Sequence, residues 1–199
     1  MFEGLIEYMR KDEIIKVALR LFLLRGYRSV SLSDVANELG ITKGGIYHYF
    51  KSKEDMLIQT AEFFFDLIKT KHIELFDNDK GLYEILQAVI RDNEIETYIN
   101  NFIGNKAPND EMGLLFEFMT LCPELLRHWE RVNLEIITAI QGKLQKLIDK
   151  GEMRSDVEVN ALAAILFTLM IGRRTISMQY ADPSAREQIV ENLCKMVST

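Results

Sequence analysis

Apolar residues recur at helical spacing along most of this chain of 199 residues. Strict alternation of apolar and polar residues, which is typical of half-buried strands, is nearly absent, and no Pro-rich or Ser/Gly-rich run interrupts the pattern. The pattern therefore predicts an all-α protein. Apolar positions in residues 1–9 fit either an extension of the first helix or a frayed tail. Helices are expected over residues 12–25, 31–39, 43–49, 52–76, 82–102, 111–121, 123–150, 156–176 and 183–197.

Three helix-capping signals stand close together in residues 31–57. Ser31 has the side chain of an N-cap, and Gly40 is suited to ending the helix that Ser31 begins. Thr42 is a second N-cap, for a helix over residues 43–49, and Ser52 is a third. A helix of about two turns is not stable alone, so residues 43–49 are expected to lie on their neighbours. The apolar residues expected in this three-helix core are Ile14, Ala18, Leu21, Phe22, Val35, Leu39, Ile46 and Phe50.

Two helices joined by a short turn with Gly form a helix-turn-helix, whose second helix enters the DNA major groove. The run Ile14–Leu57, with Ala36 and Gly40 four residues apart and IYHYF followed by Lys53, resembles the N-terminal domain of the tetracycline-repressor (TetR) family of bacterial regulators. Residues 151–163 also resemble that family. The resemblance implies a DNA-binding domain over residues 1–55 and a helical effector-binding and dimerisation domain over residues 56–199.

Polar residues of the helix-turn-helix are the candidates for DNA contacts. Lys43 lies on the exposed first turn of the second helix, where a lysine can donate to guanine O6 and N7. Gly44 lacks a Cβ, so the helix backbone can approach a duplex closely. The resemblance implies phosphate contacts for Tyr47 and Lys53, while Tyr49 is expected either to pack or to touch DNA. The candidate DNA-binding residues are Arg28, Ser33, Thr42, Lys43, Gly44, Tyr47, His48, Tyr49 and Lys53.

The formal net charge is −6, which by itself argues against nucleic-acid binding. The charges are unevenly distributed, however. Residues 10–55 contain nine Lys or Arg and six Asp or Glu, a balance of +3, so the rest of the chain carries −9. This division fits a locally basic DNA-binding segment on an acidic body.

Residues 157–176 are apolar on almost every side. A helix of this kind must be buried on every side, and in a chain this small a partner subunit is the expected cover. We therefore expect a homodimer in which this helix and the last one, residues 183–197, form a four-helix bundle, as the resemblance also implies. A two-fold dimer would present the second helices of its two helix-turn-helix motifs, about 34 Å apart, to a palindromic operator.

The resemblance further implies an unknown small-molecule effector bound inside the C-terminal domain and a repressor that the effector releases from DNA. Soft and aromatic residues with a few polar neighbours suit a mostly apolar pocket. The acidic body favours a neutral or cationic effector. The candidate effector-binding residues are Phe64, Tyr83, Arg91, Tyr98, Phe102, Phe116, Met119, Trp129, Asn133, Met170 and Arg173.

Other classes of function lack their motifs. The three His residues do not form the Glu-x-x-His pairs of a di-iron bundle, and no P-loop, GxGxxG, GxSxG or HExxH is present, so neither an enzyme, nor a cofactor, nor a metal site is expected. No signal peptide or membrane span is expected, which predicts a cytoplasmic protein. The alternative that stays open is an architectural or protein-recruiting DNA-binding factor without a small-molecule sensor.

Overall fold

A computed structural model describes residues 2–92, 94–103, 111–175 and 183–198. Within these residues every regular element is helical, and a single antiparallel bridge joins Met153 to Ser198. The all-α prediction is confirmed. No described helix is long and apolar enough to cross a membrane. The α-helices are α1 Phe2–Arg25, α2 Leu32–Leu39, α3 Lys43–Tyr49, α4 Lys53–Phe76, α5 Leu82–Leu86, α6 Glu94–Ile103, α7 Glu111–Leu121, α8 Glu124–Asp149, α9 Val159–Thr175 and α10 Pro183–Val197, with a 3-10 turn at Tyr27–Ser29 and a π turn at Gln87–Arg91.

The chain divides into two compact units. The first comprises Met1–Leu67 and Ile99–Glu130, and the second comprises Ile68–Tyr98 and Arg131–Thr199. Helix α4 contributes residues to both units. The predicted functional division after residue 55 falls inside α4, and it stays a prediction.

The core of the first unit forms where α1 meets α2 and α3. Phe22, Ile46 and Phe50 are at most 1% exposed, which confirms their predicted place in the core. The ring of Phe22 also meets Phe118 of α7 edge-on, with ring centroids 6.3 Å apart, so α7 packs on α1. Each such side chain stabilises the fold by roughly 1.5–3 kcal/mol through its burial. Leu39 is only half-buried.

The predicted helix caps are present. Ser31 and Asp34 form a reciprocal capping box, with the Asp34 amide donating to Ser31 Oγ over 3.2 Å. Thr42 Oγ1 accepts from the Gly45 amide over 3.1 Å, and Ser52 Oγ accepts from an amide in the first turn of α4 over 3.0 Å. Gly40, at a left-handed φ of 64°, ends α2.

The single helix predicted over residues 82–102 is wrong. After α5 the backbone widens into the π turn, and the Asp92 amide donates to the Gln87 carbonyl five residues earlier, over 2.9 Å. Ala88, Val89 and Ile90 of this wider turn are all buried. The apolar run is thus part of the core of the second unit although the regular α-helix is interrupted.

Helix α10 packs on α5 and on the π turn in the second unit. Its Glu187 accepts from the Tyr83 hydroxyl over 2.6 Å and pairs with Arg91 Nη1 over 3.3 Å. Arg186 Nη1 donates to the Arg91 carbonyl over 3.1 Å. Polar contacts with the earlier helices thus fix α10 within its own chain.

The start of α9 differs from the prediction. The helix begins at Val159 rather than at Asp156, because the Asp156 carboxylate accepts from Arg154 over 2.9 Å and residues 155–158 form a turn and loop. One side of α9 is buried in the second unit, while Ile165 and Leu169 on the other side are 52% and 38% exposed. Within one chain, therefore, the helix is not covered on every side.

Thr60 offers a test of the core packing. Its side chain is fully buried in α4, and its hydroxyl has no hydrogen-bond partner among the residues that the structure describes. Thr60→Val keeps the shape and removes a buried polar group, so we expect the free energy of unfolding to rise by about 1 kcal/mol, measured by denaturant unfolding. Thr138→Val is the matched control: Thr138 is exposed and its hydroxyl donates to the Leu134 carbonyl over 2.8 Å, so no gain is expected there. A loss of stability in Thr60→Val would indicate that the Thr60 hydroxyl does form a hydrogen bond in the folded protein.

Candidate nucleic-acid interface

Helix α3 is held to the protein along one side only. Its seven residues include Ile46, which is completely buried, and the residue that follows it, Phe50, is buried as well. Gly40 and Ile41 both donate to the Ala36 carbonyl, which fixes the turn between α2 and α3. Because the core anchors α3 at Ile46, the opposite side of this helix faces outward.

The outward side of α3 borders an open groove of about 430 Å³. Cationic and hydroxyl side chains dominate its lining, and no carboxylate lines it. Such a surface can pair with phosphate oxygens, since the cations supply charge and the hydroxyls supply hydrogen-bond donors. The lining residues are Arg28, Ser29, Val30, Ser31, Leu32, Ser33, Lys43, Tyr47, Lys51, Ser52 and Lys53.

Asp34 lies next to this lining, but its carboxylate is already hydrogen-bonded to Ser31. Its carboxylate accepts from the Ser31 amide over 2.7 Å and from the Ser31 hydroxyl over 2.5 Å. These hydrogen bonds, the side-chain one first, hold the pKa of Asp34 below its ordinary value. The negative charge of Asp34 therefore stabilises the N-terminus of α2 as part of its cap.

The structure brings five of the nine predicted DNA-binding residues together in the groove lining. These five are Arg28, Ser33, Lys43, Tyr47 and Lys53. The other four, Thr42, Gly44, His48 and Tyr49, lie on or beside α3 outside that lining. Contact with DNA stays a prediction for all nine.

The sequence reasoning missed four polar groove residues, Ser29, Ser31, Lys51 and Ser52. Ser31 and Ser52 were recognised only as helix caps, yet a cap at the rim of a groove also presents its hydroxyl there. Ser29 and Lys51 are sequence neighbours of predicted contacts. Only their position beside the helix-turn-helix could have predicted these two residues, because neither is part of a motif.

The four predicted residues outside the groove lining differ in their surroundings. Gly44 and His48 are exposed, and the N-cap Thr42 is exposed too. Tyr49 is half-buried, and its ring meets His48 edge-on with centroids 5.1 Å apart. Both the packing role and the contact role that were left open for Tyr49 remain compatible with this position.

Lys43 and Tyr47 lie one helical turn apart on the exposed side of α3. The Lys43 Nζ is 5.8 Å from the centre of the Tyr47 ring, and 49% of Tyr47 is exposed. A lysine over an aromatic ring gains a weak cation–π attraction that orients it without neutralising it. The pair therefore presents a charge and a hydroxyl from one helix surface.

Lys53 is more constrained than its sequence position indicated. Its Nζ donates to the Arg28 carbonyl over 3.3 Å and lies 4.2 Å from the centre of the Tyr27 ring. Burial lowers the pKa of Lys53, while the nearby carboxylates of Glu117 and Asp34 act in the opposite direction. Lys53 thus fastens the start of α4 to the 3-10 turn that carries Arg28.

The predicted effector-binding residues of the first unit differ widely in exposure. Phe64 and Trp129 are buried, whereas Phe116 is 52% exposed. Phe102 and Met119 are half-buried, and the Phe102 ring lies 6.2 Å from that of its neighbour Phe63.

In the second unit, Met170 is buried. The Lys71 Nζ lies 4.4 Å from the centre of the Tyr98 ring. The exposed Tyr83 and the partly exposed Arg91 hold α10 through Glu187, which gives them a structural use that the sequence did not reveal.

Among the predicted effector-binding residues, Asn133 has a buried side-chain oxygen. No group in the described part of the chain donates to this Oδ1 atom. The side chain of Arg173 lies outside the described residues. A second open cleft, of about 580 Å³, is lined by Thr138, Gln141, Gly142, Gln145, Val157, Glu158, Val159 and Asn160, none of which is a predicted effector residue. The effector site therefore stays a prediction.

No group of three or more His, Cys, Asp or Glu side chains suited to a metal ion occurs among the described residues. Cys122 is buried and Cys194 is partly buried, and both are free thiols. Burial raises the pKa of each thiol, so the reactive thiolate is disfavoured.

Comparison with known proteins agrees with this architecture. Residues 14–60 match the family described as bacterial regulatory proteins, tetR family. The HTH-type transcriptional repressor KstR2 of Rhodococcus jostii (strain RHA1) is 27% identical over 150 residues, which cover 75% of this chain and 71% of KstR2.

The uncharacterized HTH-type transcriptional regulator YerO of Bacillus subtilis (strain 168) is 39% identical over 83 residues, and this match spans 41% of the chain but only 29% of YerO. The fold of a TetR-family regulator from Cytophaga hutchinsonii matches with a TM-score of 0.74 at 17% identity, covering 96% of each chain. Together with the helix-turn-helix and its groove, these matches confirm the resemblance: residues 14–60 belong to the family described as bacterial regulatory proteins, tetR family.

Proposed function

We propose that the protein is a DNA-binding transcriptional repressor that acts as a homodimer on a palindromic operator and is released by a small, mostly apolar effector. The groove beside α3 is the observation that carries this proposal, because it gathers four cations and several hydroxyls next to a helix whose outer side is exposed. Repression is favoured because KstR2 is named as a repressor. Since its target would be chromosomal DNA, the protein would act in the cytoplasm.

The residues around α3 divide into base-reading and phosphate-holding roles. Lys43 is exposed on the first turn of α3 and can donate to guanine in the major groove. Arg28, Lys51 and Lys53 at the groove would hold the phosphate backbone, with Tyr47 adding its hydroxyl. This division predicts that charge fixes the position of the protein on DNA and that α3 sets the sequence.

Exposed apolar residues support a homodimer interface on α8 and α9. Leu134 of α8 is 65% exposed, and Ile165 and Leu169 of α9 are exposed as well. The two helices meet near the start of α9, where Gln141 Nε2 donates to Asn160 Oδ1 over 3.0 Å. A second copy that covered this surface would bury α9 on its remaining side, as its apolar sequence demands.

The role of α10 in the dimer is a separate proposal. The interface expected from the sequence combined the last two helices, and α10 does carry the exposed Ile189 and Met196. However, Val190 and Glu187 already engage α10 within its own chain. We therefore assign the main interface to α8 and α9.

A small-molecule effector is supported by the surplus of soft aromatic groups and by the buried, unpaired Oδ1 of Asn133. A mostly apolar ligand with one hydrogen-bond donor would satisfy that oxygen. The alternative of an architectural factor without a sensor is not favoured, because relatives of the chain are named as transcriptional repressors. Membership of a family of regulators likewise favours a regulator over an enzyme.

Selection of duplexes from a random pool, followed by binding at several salt concentrations, tests the function directly. A palindrome should be enriched. Lys53→Ala should weaken binding to all sequences about equally and lower the salt slope by about 1 per subunit, while Lys43→Ala should relax the base preference at one position of each half-site. If no sequence is enriched and every duplex binds weakly, the proposed function is wrong.

Gly44 and Gly45 provide a matched pair for the approach of α3 to DNA. A Cβ on either glycine fits without a clash, the nearest atom being Thr42 Oγ1 at 3.8 Å and 3.5 Å respectively. Either change to Ala should therefore stabilise the protein by up to about 1 kcal/mol. Gly44 is exposed, whereas Gly45 is half-buried and a Cβ there would also face Ile41. We expect Gly44→Ala to weaken duplex binding and Gly45→Ala to leave it unchanged, and equal affinities would contradict a close backbone approach.

The dimer interface is tested by charge on an exposed apolar position. Ile165→Glu should raise the dimer dissociation constant at least about 30-fold, as for a buried contact worth about 2 kcal/mol. Sedimentation over a concentration series would measure this. Ile189→Glu on α10 is the control and should leave the dimer intact. A dimer that tolerates Ile165→Glu and loses its partner in Ile189→Glu would assign the interface to α10 instead.

A further inference from the structure

A carboxylate of α7 lies beside the cationic edge of the groove. Glu117 Oε1 is 3.8 Å from Arg28 Nε, and the Glu117 side chain is 27% exposed while that of Arg28 is 82% exposed. The next residue of α7, Phe118, is completely buried and meets the Phe22 ring of α1. The packing of α7 therefore keeps the Glu117 carboxylate near Arg28.

The same carboxylate acts on Lys53. Burial lowers the pKa of Lys53, and among the nearby charges the carboxylate of Glu117 has the largest opposing effect on that pKa. Lys53 and Arg28 are linked, because Lys53 Nζ donates to the Arg28 carbonyl over 3.3 Å. Glu117 thus pairs with one of the four cations that line the groove, Arg28, and its charge raises the pKa of a second one, Lys53.

Glu117 differs from the other carboxylates of this region in what it contacts. Asp34 accepts from the backbone of Ser31, and Asp55 accepts from the Lys51 amide over 2.8 Å, so both carboxylates cap helices. The described ion pair of Glu117 is with the Arg28 side chain, which DNA could also bind. Its charge can therefore be exchanged for that of a phosphate without breaking a cap.

We propose that Glu117 is an intramolecular competitor of DNA phosphate for Arg28 and Lys53. A phosphate at this edge of the groove must displace the carboxylate and bring a second negative charge close to it, which weakens binding to every duplex. Because phosphates carry no sequence information, the penalty falls equally on operator and non-operator DNA. Glu117 thus lowers the affinity for all DNA, while the base contacts of α3 still set the ratio between operator and non-operator binding. This inference rests on the proposed function.

The test compares Glu117→Gln with the unchanged full-length protein on a random-sequence duplex, by fluorescence anisotropy at several salt concentrations. Removing the competing charge should tighten binding about 1.5-fold to fivefold per subunit at low salt, as for a partly exposed ion pair. Because Arg28 and Lys53 would then both meet phosphates, the salt slope should steepen by about 1 per subunit. Glu117→Ala should give the same direction, which provides a second variant if Gln disturbs the packing of α7.

Two controls separate competition from other effects. Glu130→Gln on α8 makes the same change in net charge outside the groove lining, so screening should leave its affinity nearly unchanged. In an Arg28→Ala background, Glu117→Gln should gain clearly less than it gains alone, because one of the two contested cations is missing.

The outcomes distinguish this inference from the proposed function. If the unchanged protein binds duplexes with a steep salt dependence but Glu117→Gln binds equally or more weakly, Glu117 is not a competitor, and weaker binding would make it a residue that positions Arg28. If Glu117→Gln and Glu130→Gln tighten binding equally, the effect is one of net charge, and the inference is wrong. If no variant and no duplex shows binding, the proposed function fails, and the inference fails with it.

Discussion

The burial of Ile46 and Phe50 is the constraint on which the DNA-binding end of this protein depends. Helix α3 has seven residues, two of them glycine, and it could not persist in water by its own hydrogen bonds. It exists because α1 and α2 supply a core that buries these two side chains completely. The same anchoring decides which side of α3 is left for a duplex, so recognition follows from packing rather than from helix propensity.

Charge is arranged locally against the charge of the whole molecule. The chain is acidic overall, yet four cations line the groove beside α3, while Asp34 and Asp55 cap helices and Glu117 pairs with Arg28. Helix capping therefore serves two purposes here. It starts α2 and α4, and it keeps the negative charges of Asp34 and Asp55 on backbone amides instead of in the groove.

The sequence predicted those parts of the structure that depend on neighbours within about four residues. The caps at Ser31, Thr42 and Ser52, and the ends of helices at Gly26, Gly40 and Gly151, follow from local chemistry and are present. Phe22, Ile46 and Phe50 were predictable as core because apolar residues at helical spacing must face one another.

Contacts between distant residues were not predictable in the same way. Lys53 and Arg28 are 25 residues apart, and their link through the Arg28 carbonyl depends on where α4 meets the 3-10 turn. The abundance of aromatic residues predicts Tyr83 as an effector-binding residue. In the structure it lies exposed, and its hydroxyl donates to Glu187. Helical spacing of aromatic residues does not by itself show whether they line a pocket, pack in the core or form a hydrogen bond between helices.

The π turn at Gln87–Arg91 has a consequence for the spacing of the groups that hold α10. A π turn holds one residue more than an α turn, so the chain carries one extra residue here without unwinding α5. That residue lies between α5 and Arg91, which both contact α10 in the second unit. The number of residues in this turn therefore sets the spacing at which α5 and Arg91 meet α10.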